Sequence, residues 1–384
     1  MLSMLPAAAL GQAQPAQKPD QRAQEPDQRA EKADQRTGKA DQRAGKADQR
    51  AEKADQLAQK PDRPAEKADQ PARKPDQPAQ KLDQPGPQSQ QAGPQPVLSL
   101  LYRGTLSGCN YDCAYCPFAK RRDSRAKLAR DAAEVARFVA WVGAQVRPIS
   151  VLFTPWGEGM IRRHYRDAIT ALSGMEHVRQ VAIQTNLSGP LAWLEQADAR
   201  KVGLWCTYHP SQVRMERFVE RCARLARMGV HFSVGIVALR EHFDDIRALR
   251  AALPSQHYLW LNAYDRRAPG YYQPDDLAWL DAIDPWFSYS RNPEMSRGKA
   301  CRAGSEALSV DADGEVQRCH FLPQRLGNLY ADSLENMLVE KPCSRLRKCD
   351  CFIGYAHRQE LPFYDDFGAG VLARIPLRLV RAQS

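Results

Sequence analysis

Between residues 97 and 263, apolar strand-like runs take turns with helix-like stretches, and this alternation limits the fold more than any other feature of the chain. The runs VLSLLYRG (97–104), ISVLF (149–153), VRQVAIQT (178–185), VGLWCTY (202–208), HFSVGIVAL (231–239) and HYLWLNA (257–263) read as six strands. Helical spacing of apolar residues appears between them, over roughly 124–143, 161–173, 211–228 and 243–253. In the first of these stretches Leu128, Val135, Val139 and Val142 share a face; in the third Met215, Val219, Cys222 and Ala226 do. The alternation predicts a parallel sheet with right-handed crossovers. In such sheets ligands collect beyond the C-terminal ends of the strands, so the residues just after each run should be chemically special.

They are. The first run leads into CNYDCAYCPF, with Cys109, Cys113 and Cys116 spaced C-x3-C-x2-C. TPWGEG follows the second and carries Gly157 and Glu158; QTNLSG follows the third and carries Thr185 and Asn186. Tyr208 and His209 follow the fourth, Arg240 the fifth, and Asn262 and Tyr264 the sixth. Three thiols are one short of the four that a structural zinc site takes. His209 at this rim reads equally as a substrate-facing group or as a satisfied loop histidine. Cys206 in a strand and Cys222 on an apolar helix stripe read as buried packing residues.

The first quarter of the chain is of another kind. It has no Phe, Trp or Tyr before Tyr102, and a seven-residue unit repeats from about residue 18 to 86. Ala or Pro occupies the would-be seam, where a coiled coil needs large apolar knobs. With so little apolar surface to offset its ordering entropy, residues 1–96 are expected to be a disordered low-complexity tail. Its 16 basic and 14 acidic residues nearly cancel, so it is no polycationic nucleic-acid arm. The opening MLSMLPAAAL lacks a basic n-region and breaks its apolar run with Pro, which argues against a secretory signal. No run is long enough to span a membrane, and a cytoplasmic location is expected. All 10 cysteines lie beyond residue 108, eight of them in two clusters, which favours metal or redox chemistry over a disulfide framework.

The C-x3-C-x2-aromatic-C loop after the first strand, over a scaffold of about residues 98–290, resembles the radical S-adenosylmethionine superfamily. The resemblance implies a partial (β/α)6 TIM-like barrel over 97–295. It implies that Cys109, Cys113 and Cys116 hold three irons of a [4Fe–4S] cluster and leave the fourth iron open. S-adenosylmethionine would chelate that iron, and its reductive cleavage would give methionine and a 5'-deoxyadenosyl radical that abstracts hydrogen from a substrate. Gly157 and Glu158 resemble the Gly-Gly-Glu loop that receives the methionine ammonium, although Trp156 stands where the family has its first glycine. Asn186 matches a ribose or carboxylate contact, and Tyr115 would border the adenine. Ile236, with Val237, reads either as an adenine-facing surface or as plain core.

A second cluster contains Cys301, Cys319, Cys343, Cys349 and Cys351. ALSVDADGEVQRC alternates around Asp313-Gly314, a hairpin signal that outweighs the calcium-loop look of DADG. The layout resembles the SPASM extension or its shorter twitch form, over 296–356, followed by a C-terminal tail, 357–384. The resemblance implies one auxiliary [4Fe–4S] cluster on Cys301, Cys319, Cys349 and Cys351, with Cys343 in reserve. The fold class expected is thus α/β, a partial barrel with a small Cys-rich extension and the repeat tail. The function implied is that of a radical enzyme acting on a peptide or protein substrate and reduced by a low-potential flavodoxin or ferredoxin. Two rival readings remain: a zinc-stapled binding module, and a barrel that binds the cofactor without radical chemistry. Neither membrane nor specific nucleic-acid binding is expected.

Overall fold

The computed structural model describes residues 96–118, 122–264 and 267–377. The repeats, and the disorder expected of them, lie outside these residues. Eleven strands and nine α-helices follow in chain order among the described residues: β1 (Leu98–Arg103), α1 (Arg125–Gly143), β2 (Ile149–Phe153), α2 (Arg163–Ser173), β3 (Val178–Thr185), β4 (Val202–Thr207), α3 (Met215–Arg227), β5 (His231–Ala238), α4 (Phe243–Ala252), β6 (Leu259–Ala263), α5 (Pro274–Ile283) and α6 (Phe287–Arg291). Then come β7 (Glu294–Met295), β8 (Ala307–Asp311), β9 (Glu315–Cys319), β10 (Leu322–Asn328), α7 (Leu334–Met337), β11 (Lys348–Cys349), α8 (Phe352–Tyr355) and α9 (Phe363–Phe367). No helix among the described residues is long and apolar enough to cross a membrane.

One nine-stranded sheet runs in the order β10-β9-β8-β1-β2-β3-β4-β5-β6. β1 to β6 are parallel and sequential, as the alternation requires. Beyond the barrel, β8 pairs parallel with the free side of β1, matching Arg103 with Asp311, and the β8–β9–β10 meander continues the same sheet. The hairpin expected at Asp313-Gly314 turns there. Gly314 has a φ of 83°, while Asp311 Oδ1 accepts from the amides of Asp313 and Glu315.

Period-two alternation sorts the strand side chains. Leu100, Val151, Ile183, Leu204, Ile236 and Leu261 pack with the helices in an outer core. Leu101, Leu152, Ala182, Trp205 and Trp260 face inward. Gly235 on β5 has no room for a Cβ, because the Trp260 ring occupies that space. The interior is filled by the C-terminal segment: Phe352, Tyr355, Phe363, Phe367, Leu372 and Ile375 join the inward strand residues in one apolar cluster. The Ser233 hydroxyl donates to the Ala373 carbonyl at 2.7 Å, and Trp286 Nε1 donates to Asp366 at 2.8 Å. The described part of the C-terminal tail, residues 358–377, thus supplies much of the packing inside the sheet, as a plug. Residues 211–214, expected as helix, form a turn instead, because the His209 carbonyl collects the amides of Gln212 and Val213.

Two acidic residues around the start of α1 fasten the loop that leaves β1. Asp131, fully buried, accepts from the Leu106 amide at 2.9 Å and meets His164 Nε2 at 2.7 Å. Asp123 accepts from the amides of Ser107 and Gly108 and from the Ser107 hydroxyl, and pairs with Lys127 at 2.7 Å. Burial opposes its charge, but these donors outweigh burial and hold its carboxyl at about 2. The thiol loop is therefore anchored just before Cys109.

Two outcomes are expected. Phe363→Ala, which removes a fully buried plug ring, should cost about 3–5 kcal/mol in chemical denaturation, against less than about 0.5 kcal/mol for the exposed Val146→Ala. Equal effects would mean that the plug is not part of the core. The folded Asp123 carboxyl titrates below its unfolded value, so its stabilisation is complete above about pH 4 and fades as the pH falls toward 2. The gap in unfolding midpoint between wild type and Asp123→Asn should close across that window; a gap independent of pH would show that the ionised clasp contributes nothing.

Candidate active site

Residues at the ends of β1 to β4 meet in one open cleft. Cys109, Cys113 and Cys116 line it together with Trp156, Gly157, Glu158, Thr185, Asn186 and His209. The expected residues after the first three strands, and His209 after the fourth, are thus brought together, whereas Tyr208 is buried in the core and Arg240, Asn262 and Tyr264 do not line the cleft.

Gly157 sits where the β2 loop crosses the β1 loop. A Cβ there would overlap the Gly108 carbonyl, which also accepts from the Glu158 amide at 3.2 Å. Glycine is required at this crossing and not one residue earlier. Trp156 lies clear of it, 41% exposed, with its ring 4.6 Å from that of Phe118 and the Arg103 guanidinium 4.0 Å from its centre. Glu158 is buried, and burial raises its carboxyl above the usual range against three donors. These are the Thr185 hydroxyl (2.8 Å), the Asn186 amide (2.6 Å) and the Met160 amide (2.9 Å). It therefore ties the ends of β2 and β3 together as well as facing the cleft.

Asn186 Nδ2 donates to Asn110 Oδ1 at 3.1 Å and points at the Cys109 sulfur, 3.7 Å away. The Tyr111 amide also donates to that sulfur, and the Phe118 amide to the sulfur of Cys116. Burial raises the Cys109 thiol above its usual range, and the Tyr111 amide offsets only part of that rise. His209 Nδ1 lies 2.7 Å from the Tyr115 hydroxyl and 3.3 Å from the Cys113 sulfur. Burial, then the neighbouring His242, pushes His209 down to about 4, so it is neutral at ordinary pH. Tyr115 stacks against His209 behind the loop rather than lining the cleft. Ile236 corrects the reading that it faces adenine. It belongs to the helix-facing core of β5, fully buried, because strand alternation turns it away from the interior. The clasp residues Asp123 and Asp131 were missed by the sequence reading; the only signal was a pair of acids flanking an otherwise basic helix start.

A second, more enclosed cavity lies in the extension. Cys301, Cys319, Cys343 and Cys349 line it, with Ser296, Arg318 and Arg345. Burial pushes Cys319 and Cys349 up to about 12, and the charges of the other thiols push the same way. Four thiolates sharing one buried cavity need a cation between them, so the donor set suits a metal centre. Cys351, expected as the fourth ligand, is not among them. The chain turns into α8 directly after β11, and Cys351 becomes its N-cap, with burial raising its thiol above the usual range. Cys343 takes the place in the cavity. Its amide donates to Lys299, its carbonyl accepts from Gly298, and its sulfur sits 3.3 Å from the Ser296 hydroxyl. Among the described residues no three His, Cys, Asp or Glu side chains converge closely enough to share one ion. A four-iron cluster places each thiolate on a different iron and spans a wider gap.

Residues 301–360 match the family model of SPASM, an iron–sulfur cluster-binding domain. Among solved structures, Streptococcus suis SuiB matches at 15% identity and a TM-score of 0.42, over 64% of this chain and 66% of its own, just under two thirds. Native anSMEcpe with bound AdoMet matches at 17% identity and a TM-score of 0.45, over 62% and 80%. BtrN in complex with AdoMet and 2-DOIA matches at 13% identity and a TM-score of 0.29, over 63% and 82%. No curated protein matches. The chain thus follows its six parallel strands with a segment, residues 301–360, that is similar to the SPASM iron–sulfur cluster-binding domain.

Proposed function

We propose that the protein is a radical S-adenosylmethionine enzyme with one auxiliary iron–sulfur cluster. The observation that carries the reading is the meeting of three loop thiols with Glu158 and Asn186 in one cleft at the parallel strand ends. When bound, a [4Fe–4S] cluster and S-adenosylmethionine supply reductive cleavage of the sulfonium and hydrogen-atom abstraction from a substrate. The chain's own part is positional. Cys109, Cys113 and Cys116 would hold the cluster. Glu158, whose Oε2 accepts among the described residues only from the Asn186 amide, would receive the methionine ammonium. Asn186 would steady Cys109 and the edge of the ligand. The donors from Asn186, Tyr111 and Phe118 would raise the potential of the metal centre by stabilising negative charge on sulfur. The barrel plug would keep water from the reacting carbon.

In the extension, Cys301, Cys319, Cys343 and Cys349 would hold the auxiliary cluster. Four thiolates leave no open iron, which favours an electron-relay role over substrate binding. A flavodoxin or ferredoxin as electron donor, and a peptide or protein as substrate, extend the family resemblance to this chain.

Iron and sulfide counts on anaerobically reconstituted protein test the reading. Wild type should carry about eight irons and the Cys109/Cys113/Cys116→Ala variant about four, with loss of 5'-deoxyadenosine formation. Zinc in both proteins would leave the binding module standing, and 5'-deoxyadenosine from the triple variant would remove the proposed site. The auxiliary ligand set has its own check. Cys343→Ala should bring about eight irons down toward four, whereas Cys351→Ala should leave the count unchanged. The reverse pattern would restore Cys351 as the ligand.

A further inference from the structure

A second groove borders the thiol loop. It shares Tyr111 and Asn186 with the cleft and is lined beyond them by Asn110, Arg214, Arg217 and Arg221. None of the residues that line it is acidic. The arginines come from α3 and the residue before it, at spacings of three and four, and Arg224 extends the row by three more. They therefore share one helix face. At about 1.5 Å per residue the row from Arg214 to Arg224 is about 15 Å long.

Like charges at these spacings work against a helix. Burial, then the charge of Arg217, pulls Arg221 below its usual range. The fold itself makes firm use of one member alone. Arg221 donates from Nε to the Leu187 carbonyl at 2.5 Å and from Nη2 to the Gly189 carbonyl. Arg214 meets Glu216 at 3.3 Å with both side chains exposed, a contact worth little. The side chains of Arg217 and Arg224 are exposed and make no hydrogen bond or ion pair among the described residues.

The floor of the groove leads to sulfur. Asn186 Nδ2 donates to Asn110 Oδ1 and lies 3.7 Å from Cys109 Sγ, and the Tyr111 amide lies 3.4 Å from the same sulfur. Gln212 Oε1, in the turn ahead of α3, accepts from the Asp112 amide at 2.9 Å, which fastens the arginine helix to the thiol loop. A group seated on the arginines thus stands one side chain away from the Cys109 sulfur. The row is longer than a single phosphate or carboxylate and its outer members are exposed, so it suits an acidic macromolecular surface rather than a small anion. Its contact with the residues around Cys109 selects a partner that exchanges electrons there.

We propose that the arginine face of α3 docks an acidic electron-carrier protein, which delivers electrons past Asn110 and Asn186 to the metal centre of the thiol loop. The inference rests on the proposed function and deepens it by giving the carrier its place. In each transfer the reduced carrier loses one electron and the bound cluster gains it; no atom or proton need move.

Calorimetric titration of the reconstituted full-length protein with an acidic bacterial flavodoxin, and separately with an acidic bacterial ferredoxin, tests the docking. At least one should bind saturably, and the binding should weaken steeply as salt is raised. Arg217→Glu/Arg224→Glu should weaken it about tenfold or more, with iron content unchanged. The variant should also be reduced by that carrier about tenfold more slowly, whereas photoreduced deazariboflavin, small and uncharged, should reduce both proteins at one rate. No binding of either carrier, binding indifferent to salt, equal binding by the variant, or slower reduction by deazariboflavin as well would each overturn the proposal. So would tighter binding of a DNA duplex than of either carrier, with the same loss in the variant, since the row would then belong to nucleic acid. Should the charge reversal disturb folding, Arg217→Gln/Arg224→Gln decides in its place. A protein that binds a carrier but holds no iron would keep the docking surface and remove the enzyme reading. A protein that forms 5'-deoxyadenosine with deazariboflavin but binds neither carrier would do the reverse, so the two fail separately.

Discussion

The hydrogen-bonded position of β1 governs the rest of the molecule. Its residues Leu98–Tyr102 pair with β2 on one side, and Ser99–Arg103 pair with β8 on the other, both in parallel register. β1 is thus the last strand of the barrel and the first neighbour of the extension. Because both partners run parallel to it, every loop at its C-terminal end opens on one rim. The cysteine loop follows β1 directly, and the hairpin that leads to Cys319 follows β8. One sheet therefore fixes both thiol cavities, without a flexible joint between them. The side-chain period of two then decides what lies between: Leu101 and Arg103 face inward, toward the plug, while Leu100 and Tyr102 join the helices.

Electrostatics imposes the second condition. Thiols gather in two cavities, each with hydrogen-bond donors or positive neighbours, and Glu158 is the acid that shares the first of them. Amides and Asn186 point at the sulfurs of the loop; Arg318 and Arg345 border the second cavity. Arg318 is itself held at 2.6 Å by the Ala303 carbonyl and also by the carbonyls of Lys341 and Pro342, which fixes the segment leading to Cys343. Acids appear one step back, at Asp123 and Asp131, where they grip backbone amides rather than sulfur.

How much of this was legible depends on whether the signal was local. The six barrel strands were readable because each is a continuous apolar run between turns, and the thiol loop because its spacing is compact. The plug was not, since Phe363, Phe367 and Leu372 show only that they are apolar, not which surface they cover. The choice between Cys343 and Cys351 was equally hidden. Cys351 is two residues from Cys349, so sequence proximity favours it, but the turn into α8 swings it away. Cys343 is placed by hydrogen bonds to Gly298 and Lys299, more than forty residues distant, and nothing in its own neighbourhood announces them. Ile236 failed for a simpler reason: the register of β5 settles which of two adjacent residues faces inward, and periodicity alone left both open.

Trp156 shows how a departure from a family pattern can be read physically. A bulky residue in place of the first glycine would matter if that position made the close crossing with the β1 loop. It does not, because the crossing is at Gly157, where any side chain would run into the Gly108 carbonyl. Trp156 instead spends its size on Arg103 and Phe118. It is the one aromatic that touches both the cleft and the arginine at the interior. The substitution then removes nothing that the loop needs, and the argument for a barrel that binds its ligand without using it loses its only support. What Trp156 adds is a cation–π contact with Arg103 at the edge of the cleft, worth about 0.5–2 kcal/mol in general.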